Sequence, residues 1–252
     1  MTDIIIQGIG GRMGHALCEM IANRSDCRVV AGIDQQDGEQ NGIPVYDSLD
    51  KLDGKGDVII DFSAPAAVEK ALTYCEAHKM PIVVCTTGLS EELQLKVVQL
   101  SRIVPVFKSA NMSIGINLLS ELCKRASAIL GADYDVEIVE QHHHNKLDAP
   151  SGTAIITAQK IAEVRKAMHQ GNPDEKETMA GARGADYEGM KIHSVRLPGY
   201  VASQEVIFGG QGETLKISTD PINRECYMPG VALGCRKIVD QVGLVYGLDK
   251  LL

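Results

Sequence analysis

Short apolar runs alternate with segments of helical periodicity between residues 2 and 106, and this alternation constrains the fold more than any other feature. Residues 4–6, 58–62 and 82–85 have the length and the largely apolar character of buried strands. Arg12–Ala22 carries apolar residues at helical spacing. Largely apolar strands that alternate with helices predict a parallel sheet with helices on both faces.

The remaining elements of this part follow from the same periodicities. We expect strands at 28–33 and 103–106, a helix at 90–100, and a helix with Pro65 in its first turn and Ser63 as its cap. Residues 35–42 are polar and contain glycine, which predicts a surface loop.

After Asn111 the pattern changes. Helical periodicity predicts three helices, at 114–130, 151–168 and 224–245. Alternation predicts four strands, at 135–140, 191–196, 201–208 and 214–219. The last three strands follow one another without helices, which indicates an open mixed sheet, and the polar, glycine-rich residues 169–189 predict a long mobile loop or lid.

The first strand is joined to the first helix by Gly8-Ile9-Gly10-Gly11-Arg12-Met13-Gly14. Glycines at this place let the backbone approach a pyrophosphate, which then lies on the N–H groups at the start of the helix. A preceding strand, a following helix and an acidic residue about 20 positions on make this spacing typical of dinucleotide binding. Asp34 is that acidic residue. The alternative is a tight turn in a Rossmann-like fold that binds no cofactor.

The residues around Asp34 bear on the choice of coenzyme. A carboxylate at this strand end accepts hydrogen bonds from a ribose 2′-hydroxyl and repels a 2′-phosphate. Gln35 and Gln36 follow it, and the nearest basic candidate is Arg12. This pattern favours NADH, or the use of both NADH and NADPH.

Two later strand ends, Asp61-Phe62-Ser63-Ala64-Pro65 and Cys85-Thr86-Thr87-Gly88, also lie where open α/β sheets bind ligands. Backbone groups at Phe62, Ser63, Cys85, Thr86 and Thr87 could therefore meet the nicotinamide and its ribose. The alternative interpretation is that both stretches are only turns built from small residues.

Residues 140–154, EQHHHNKLDAPSGTA, gather three histidines, a lysine and an aspartate before a helix start. A zinc site is poorly supported, because adjacent residues on an extended backbone point to opposite faces and only His142 and His144 could share a centre. A serine nucleophile is also poorly supported, since P-S-G-T is not the G-x-S-x-G turn.

An anion pocket accounts for more of this segment. Ser151, Gly152 and Thr153 at a helix start offer N–H groups and hydroxyls to a carboxylate. Lys146 adds a positive charge, and a histidine adds a donor or a transferable proton near neutral pH. Asp148 is interpreted as an orienting or capping group. The simpler alternative is a helix cap beside a solvated surface segment.

Composition limits the possible partners. The formal net charge of −8 argues against nucleic acid and anionic membranes, which require a basic surface. No apolar run is long enough to span a bilayer, and the N-terminus MTDIIIQG lacks the pattern of a secretory signal. Seven cysteines without a C-x-x-C pair are typical of reduced thiols, so a cytoplasmic protein without a bound metal is expected.

Residues 137–154, EIVEQHHHNKLDAPSGTA, resemble the signature of the dihydrodipicolinate reductases of bacterial lysine and diaminopimelate synthesis. The stretches GIGGRMG, DFSAP, CTTG and SANMSIGIN are similar to those of the same family and occur in the same order, so the resemblance spans most of the chain. It implies that NADH or NADPH reduces 4-hydroxy-tetrahydrodipicolinate, a cyclic dicarboxylate, to tetrahydrodipicolinate with loss of water.

The resemblance also assigns roles to residues. His142 matches the family's proton donor and Lys146 a lysine of substrate binding and catalysis, and the sequence leaves open which of the two delivers the proton. His143, Lys146, Ser151, Gly152 and Thr153 match substrate contacts. The matching cofactor contacts are Gly8, Gly10, Gly11, Arg12, Met13, Gly14, Asp34, Phe62, Ser63, Cys85, Thr86, Thr87, Ala110, Asn111 and Met112. Cys85 stands where a small residue is common, so its contact would be through the backbone.

The implied fold is a Rossmann-type nucleotide-binding domain, residues 1–111 and 224–252, with a second α+β domain, residues 112–223, that binds substrate and forms a homotetramer through its mixed sheet. Two other functions stay open at this point. Another NAD(P)-dependent dehydrogenase of oxo or imino acids would keep the glycine loop but has no reason to keep the histidine–lysine segment. A non-catalytic nucleotide sensor would lose the proton donor and the lysine, which this chain retains.

Overall fold

The structure is a computed structural model that describes residues 1–52, 55–166 and 169–252. The strands are β1 Thr2–Gln7, β2 Cys27–Ile33, β3 Gly38–Gln40, β4 Ile43–Tyr46, β5 Val58–Asp61, β6 Ile82–Val84, β7 Val106–Lys108, β8 Asp135–His142, β9 Ala185–Tyr187, β10 Met190–Arg196, β11 Ala202–Gly210, β12 Glu213–Thr219 and β13 Leu244–Tyr246. The α-helices are α1 Arg12–Ala22, α2 Pro65–His78, α3 Glu91–Leu100, α4 Ile114–Leu130, α5 Gly152–Ala162 and α6 Met228–Ile238. Short 3-10 turns lie at Leu49–Leu52, Gly131–Asp133, Arg224–Tyr227 and Leu248–Lys250.

The chain forms two compact units, Met1–Ser113 with Tyr227–Leu252, and Ile114–Cys226. The first contains an eight-stranded sheet in the order β13-β7-β6-β5-β1-β2-β4-β3. All neighbouring strands in it are parallel except β3 and β4. The carboxyl ends of β1, β2, β5 and β6 therefore lie at one edge of the sheet, where ligands bind in open α/β folds.

Both faces of this sheet are covered by helices. On one face, Ile5, Ile59 and Ile82 belong to a cluster that also contains apolar side chains of α2 and α3. On the other, α1 packs against β2 and α6 against β5, β6 and β7. A Cβ atom at Gly234 of α6 would lie 2.5 Å from the ring of Phe107, so the close approach of α6 requires glycine there. The predicted α/β class is confirmed.

The second unit contains a five-stranded mixed sheet in the order β12-β11-β8-β10-β9. Only β8 and β10 are parallel, and the other neighbours are antiparallel. Alternate residues of its strands, such as Val136 and Ile138, pack with the apolar faces of α4 and α5 in one buried cluster. The predicted open mixed sheet is confirmed.

Helices α1 and α4 have the predicted bounds, and α3 begins after Ser90, whose hydroxyl accepts a hydrogen bond from Leu93 N–H. The predicted helix 151–168 is shorter: Ser151 is its cap and it ends at Ala162, and its predicted last residues, 167 and 168, lie outside the described residues.

The helix predicted at 224–245 was wrong in its last part. Helix α6 ends at Ile238, and Leu244–Tyr246 forms β13, which pairs with β7 at the edge of the sheet. Gly243, with φ of +76°, lies directly before this strand. A residue with a left-handed backbone does not continue a helix, so the apolar periodicity extends further than the helix does.

The loop predicted at 35–42 was also wrong, because Gly38–Gln40 pairs with Ile43–Tyr46 as a hairpin. Asn41 and Gly42 connect the two strands with φ of 53° and 80°. Two positive φ angles are what a two-residue type I′ turn requires, and Asn-Gly is its preferred sequence. The Asn-Gly dipeptide would have predicted this hairpin, but the polar composition of the segment led to the prediction of a loop.

Two smaller predictions need correction. The strand predicted at 103–106 begins only at Val106, because Ile103 and Val104 donate their N–H groups to the carbonyl of Leu100. The cap of α2 is Ala64 rather than Ser63, whose hydroxyl is bonded to Asp61.

Polar contacts hold both ends of the 169–189 segment to the second sheet. The side chain of Gln170 bonds to Val136 N–H and to the carbonyl of Gly189, and Gly171 N–H donates to Asp135. Arg183 Nη2 lies 2.6 Å from Glu137 Oε1 on β8. The segment was predicted as a mobile loop or lid, but its residues Ala185–Tyr187 form β9, which pairs with β10. The mobility of the rest stays a prediction.

Candidate functional site

The glycine loop between β1 and α1 is shaped by close backbone contacts. Gly8 has φ of +83°, and a Cβ atom there would lie 2.9 Å from the carbonyl oxygen of Phe62. A Cβ atom at Gly14 would lie 2.4 Å from the carbonyl oxygen of Ile9. Helix α1 has no side-chain cap at Gly11. The loop thus brings an uncapped helix N-terminus, which favours anions, close to the strand ends.

Asp34 lies directly after β2 and contacts this loop. Its Oδ2 accepts a hydrogen bond from Gly10 N–H at 2.8 Å, and its Oδ1 accepts one from Gln35 N–H at 2.8 Å. A Cβ atom at Gly10 would lie 2.8 Å from Asp34 Oδ2. The structure therefore brings together the acidic residue and the glycine loop that the sequence placed in one site.

A cavity of about 1120 Å³ adjoins this contact. Of the predicted cofactor residues, those that line it are Gly8, Gly10, Gly11, Asp34, Phe62 and Ser63. Its charged side chains near the end of β2 are Asp34, Asp47 and Asp50, and Glu69 and Lys70 of α2 line its other part. The part of the cavity around Asp34 is therefore acidic.

A second cavity of about 320 Å³ shares Phe62 and Ser63 with the first. The other predicted cofactor residues that line it are Met13, Cys85, Thr86, Thr87, Ala110, Asn111 and Met112. Ser109 and Tyr227 also line it and were not predicted. Arg12 and Gly14 line neither cavity; Arg12 is exposed and Gly14 is buried within the turn.

The turn shared by the two cavities is held by Asp61, which is fully buried at the end of β5. Its Oδ1 accepts hydrogen bonds from the hydroxyl of Ser63, from Ser63 N–H at 3.3 Å and from Gln7 Nε2 at 3.2 Å. Burial raises the pKa of Asp61, and these hydrogen bonds oppose the rise only in part. Sequence patterns did not single out Asp61 or Gln7, since both read as parts of strands.

These features fit a pyridine dinucleotide. The loop forms a cradle that a Cβ atom at Gly8 or Gly10 would fill, and it opens onto an uncapped helix start. Two cavities that share one turn provide space on both sides of that turn. A long, jointed ligand with a central pyrophosphate matches this arrangement.

The histidine segment lies in the second unit and is organised around Glu140. Glu140 and His142 lie on the same face of β8, and the Nδ1 atom of His142 is 2.5 Å from Glu140 Oε2. Glu140 is fully buried, and the His142 side chain is 15% exposed. The carboxylate thus fixes one nitrogen of the imidazole and leaves Nε2 for another partner.

Arg196, at the end of β10, is paired in register with His142 and binds the same carboxylate. Its Nη1 and Nη2 atoms lie 2.8 and 2.7 Å from the two oxygens of Glu140. Burial acts to raise the pKa of Glu140, but the hydrogen bonds from His142 and Arg196 outweigh it and lower that pKa to about 2. The carboxyl group is therefore ionised at neutral pH.

Lys146 and Asp148 form an ion pair in the loop after β8, with Nζ 2.7 Å from Oδ1. The hydrogen bond from Lys146 lowers the pKa of Asp148, and the N–H of Gly152 contributes in the same direction. Lys146 N–H donates to the carbonyl of His143 at 3.1 Å, which forms a turn. His144 is exposed. Asp148 thus contacts both the lysine and the helix start.

Helix α5 begins directly after this loop. The hydroxyl of Ser151 accepts a hydrogen bond from Ala154 N–H at 3.2 Å and caps the helix. Ser151 N–H donates to Glu140 Oε1 at 3.1 Å. Of the three residues predicted to hold an anion, Gly152 is exposed and Thr153 is half-buried, while Ser151 is buried and fixes the helix start.

Two members of this site, Glu140 and Arg196, were not among the predicted site residues. Glu140 could have been noticed in the sequence, because the alternation of Val136 and Ile138 predicts a third buried apolar residue at its position. No sequence pattern points to Arg196, since 56 positions separate it from Glu140 and the parallel pairing of β8 with β10 brings the two residues together.

Across residues 1–52, 55–166 and 169–252, no cluster of three or more His, Cys, Asp or Glu side chains is arranged to hold a metal ion. Within the same described part, no helix combines the length and the apolar character needed to cross a membrane.

Comparison with known proteins identifies the family. A family model described as dihydrodipicolinate reductase, N-terminus, matches residues 2–112, and one described as dihydrodipicolinate reductase, C-terminus, matches residues 115–252. The chain is 44% identical over 262 residues to a 4-hydroxy-tetrahydrodipicolinate reductase of Enterococcus faecalis, with all of both proteins covered. It is 43% identical over 266 residues to the Shouchella clausii protein of that name, again with complete coverage of both.

A solved structure gives the same result. The dipicolinate-bound dihydrodipicolinate reductase from Paenisporosarcina sp. TG-14 matches with a TM-score of 0.89 and 36% sequence identity, and the match covers all of both chains.

Proposed function

The chain belongs to the dihydrodipicolinate reductase family, and we propose how its own residues carry out the family's reaction. That reaction is the reduction of 4-hydroxy-tetrahydrodipicolinate to tetrahydrodipicolinate with NADH or NADPH, a step of lysine and diaminopimelate synthesis. Family membership makes the protein an oxidoreductase rather than a nucleotide sensor.

The coenzyme is held by the first unit. We propose that Gly8, Gly10 and Gly11, together with the uncapped start of α1, bind the pyrophosphate. The nicotinamide end would lie in the smaller cavity, whose predicted members include Cys85, Thr86, Thr87, Ala110, Asn111 and Met112. The bound reduced nicotinamide supplies the hydride.

The preferred coenzyme is NADH, with NADPH also accepted. Asp34 Oδ2 and Oδ1 each accept one backbone N–H, which leaves lone pairs for a ribose hydroxyl. Asp50 lines the same part of the cavity, and so does Asp47, whose charge is offset by Lys51 at 2.9 Å. A 2′-phosphate there would meet the acidic side chains of Asp34 and Asp50. Both features support a preference for a coenzyme without that phosphate.

The proton comes from His142 in this proposal. The observation that carries it is the contact of His142 Nδ1 with the buried Glu140, which holds the ring in one orientation with Nε2 available to the substrate. Lys146 is paired with Asp148 in the loop after β8 and offers a positive charge to the substrate. We therefore assign proton donation to His142 and charge stabilisation to Lys146.

The substrate's carboxylates are held by the loop and the helix start. The first turn of α5 contains no acidic side chain, so its positive end favours an anion near Gly152 and Thr153. The N–H of Gly152 donates to Asp148 in the free chain and would exchange that contact for a substrate carboxylate. His143, which is half-buried, offers a further donor. Dipicolinate, the ligand of the Paenisporosarcina protein, carries two carboxylates of the same kind and serves as a binding probe for this pocket.

His142→Gln tests the assignment of the proton donor. We expect kcat to fall by about 10²–10⁴-fold, the usual contribution of a general acid, while the Kd for dipicolinate changes only a few-fold. Lys146→Ala should instead weaken dipicolinate binding and lower kcat/KM by on the order of 10²-fold, since it removes a charge-assisted contact. A kcat within tenfold of wild type for His142→Gln would exclude it as the donor.

We also propose that the protein is a cytoplasmic homotetramer that assembles through the five-stranded sheet. The edge strand β12 is largely exposed in the single chain, including the apolar Leu215, which supports an interface there. Sedimentation equilibrium at micromolar concentration should give four times the mass of one chain, and a monomer mass would contradict this assembly.

A further inference from the structure

Glu140 is a buried charge placed where the strand pattern calls for an apolar side chain. Val136 and Ile138 precede it on the same face of β8, and all three are fully buried. A carboxylate in such a position costs stability unless it is paired and hydrogen-bonded. The residues that bind this carboxylate therefore indicate its role in the site.

Both oxygens of Glu140 are in use. Oε1 accepts hydrogen bonds from Arg196 Nη2 at 2.7 Å and from Ser151 N–H at 3.1 Å. Oε2 lies 2.8 Å from Arg196 Nη1 and 2.5 Å from His142 Nδ1. One carboxylate thus holds the proton donor, the start of the substrate-binding helix and an arginine at the same time.

Arg196 extends this contact to the loop. Its Nη2 also donates to the carbonyl of Asp148 at 2.8 Å, and its Nη1 to the carbonyl of Val195 at 2.8 Å. The backbone that carries Asp148 and leads into α5 is therefore fixed by the same two side chains that fix His142.

The charges of the two residues act on His142 in opposite directions. The Glu140 carboxylate attracts the positive charge of a protonated imidazole, which it contacts at Nδ1. Arg196 shares the same carboxylate and offsets its field. The other charged groups near this end of β8 are the Lys146–Asp148 pair, with His143 and His144 next in sequence. On β11, the residue paired with His142 is the uncharged Ala202.

We propose that Glu140 and Arg196 are a positioning pair for the reductase reaction. Glu140 orients His142 through Nδ1 and attracts the charge of its protonated form, while Arg196 offsets that attraction so that the proton on Nε2 can pass to the substrate. This inference rests on the proposed role of His142 as proton donor.

Removing either member of the pair should change the pH at which His142 loses its proton, in opposite directions. Glu140→Gln keeps the size of the side chain but removes its charge, so His142 should lose its proton about one pH unit lower than in wild type. Arg196→Gln leaves the carboxylate uncompensated, so His142 should keep its proton to a pH about one unit higher. The alkaline limb of the kcat profile should move with the histidine in each variant.

The measurement is ¹⁵N NMR of histidine-labelled intact protein as a function of pH, with the His142 signals assigned by their absence in His142→Gln. Arg196→Lys is the conservative variant: it keeps the charge but not the two-pronged contact. Its His142 midpoint should stay near that of wild type, while kcat falls because the loop loses its support.

The chain offers a matched control on the opposite face of the same strand. Glu137 on β8 binds Arg183 at 2.6 Å and lies 2.9 Å from Nε2 of His193. Glu137→Gln removes the same charge from the same sheet. It should move the titration of His193 and leave that of His142 and the kcat profile unchanged.

The outcomes separate the two claims. If Glu140→Gln and Arg196→Gln move the His142 midpoint in the same direction, or do not move it, the positioning pair is wrong. If the midpoint moves in opposite directions but the kcat profile does not follow, the pair acts on His142 as inferred and His142 is not the proton donor. Should Glu140→Gln fail to fold, Arg196→Gln and Arg196→Lys still decide the question by the presence or absence of the alkaline shift.

Discussion

At residue 140 a carboxyl group is fully buried between an arginine and a histidine, and this has a consequence for stability. Its pKa is lowered from 4.5 to about 2 in the folded protein. An acid with a depressed pKa stabilises the fold above its unfolded pKa and loses that contribution as the pH falls through the folded value. The window of loss is therefore below about pH 5, near the unfolded value.

Glu140→Gln removes this contribution. Wild type and the variant should differ most near neutral pH, and the difference in the free energy of unfolding should shrink by up to on the order of 3 kcal/mol as the pH falls from about 5 towards 2. Urea denaturation at a series of pH values measures it. A difference that stays constant across that range would show that Glu140 is not held as a paired carboxylate.

Asp34 is the residue that we propose to select the coenzyme. Asp34→Ala removes an acceptor for a ribose hydroxyl and also removes charge repulsion towards a 2′-phosphate, so the KM for NADH should rise about tenfold or more and the NADH/NADPH preference should fall. Glu69→Ala removes a negative charge from the α2 side of the same cavity, away from the glycine loop, and should alter the preference little. Equal losses for both coenzymes in Asp34→Ala would contradict the ribose assignment.

Among the elements, the junction of β1 with α1 is tightly packed. A methyl group at Gly14 would overlap the carbonyl oxygens of Ile9 and Gly8, at 2.4 and 2.5 Å, which are backbone atoms with little room to move. Gly14→Ala should therefore lower the thermal midpoint by several degrees and weaken binding of both coenzymes together. Differential scanning calorimetry and coenzyme titration measure the two effects.

Gly38 provides the control for this substitution, since a Cβ atom there meets nothing within 4 Å. Gly38→Ala should leave the thermal midpoint and both coenzyme affinities close to wild type. If Gly14→Ala also leaves the thermal midpoint and both coenzyme affinities unchanged, the glycine loop does not have the geometry described.

Most elements could be predicted from the sequence, because apolar periodicity determines which face of a strand or helix is buried. The bounds of α1 and α4 followed directly from that periodicity. The errors came from elements whose identity depends on a partner. Leu244–Tyr246 is a strand only because β7 offers it an edge, and Ser63 does not cap α2 because Asp61 takes its hydroxyl.

The candidate site divides in the same way. Lys146 and Ser151 were predicted from their residue types near a helix start, and the family resemblance singled out His142 among the three histidines. Arg196 could not be predicted, since its role depends on the register of β10 with β8. Glu140 lies between these cases, because its buried position breaks a pattern but its partners are distant in the sequence.

For the whole molecule, we propose that each compact unit carries one part of the chemistry. The glycine loop, Asp34 and the two cavities belong to Met1–Ser113 with Tyr227–Leu252, and the histidine–lysine segment belongs to Ile114–Cys226. A coenzyme-binding defect and a dipicolinate-binding defect should therefore arise from separate sets of variants. The roles of the two units stay predictions until such variants are compared.

Whether this chain is an active reductase is decided by the fall in absorbance of reduced nicotinamide when the substrate is generated in the cuvette from pyruvate and aspartate semialdehyde by its synthase. We expect rapid oxidation that requires the synthase, with NADH used at least as well as NADPH. If the protein bound both coenzymes but oxidised neither in the presence of the synthase product, the assignment of this chain as an active reductase would be contradicted.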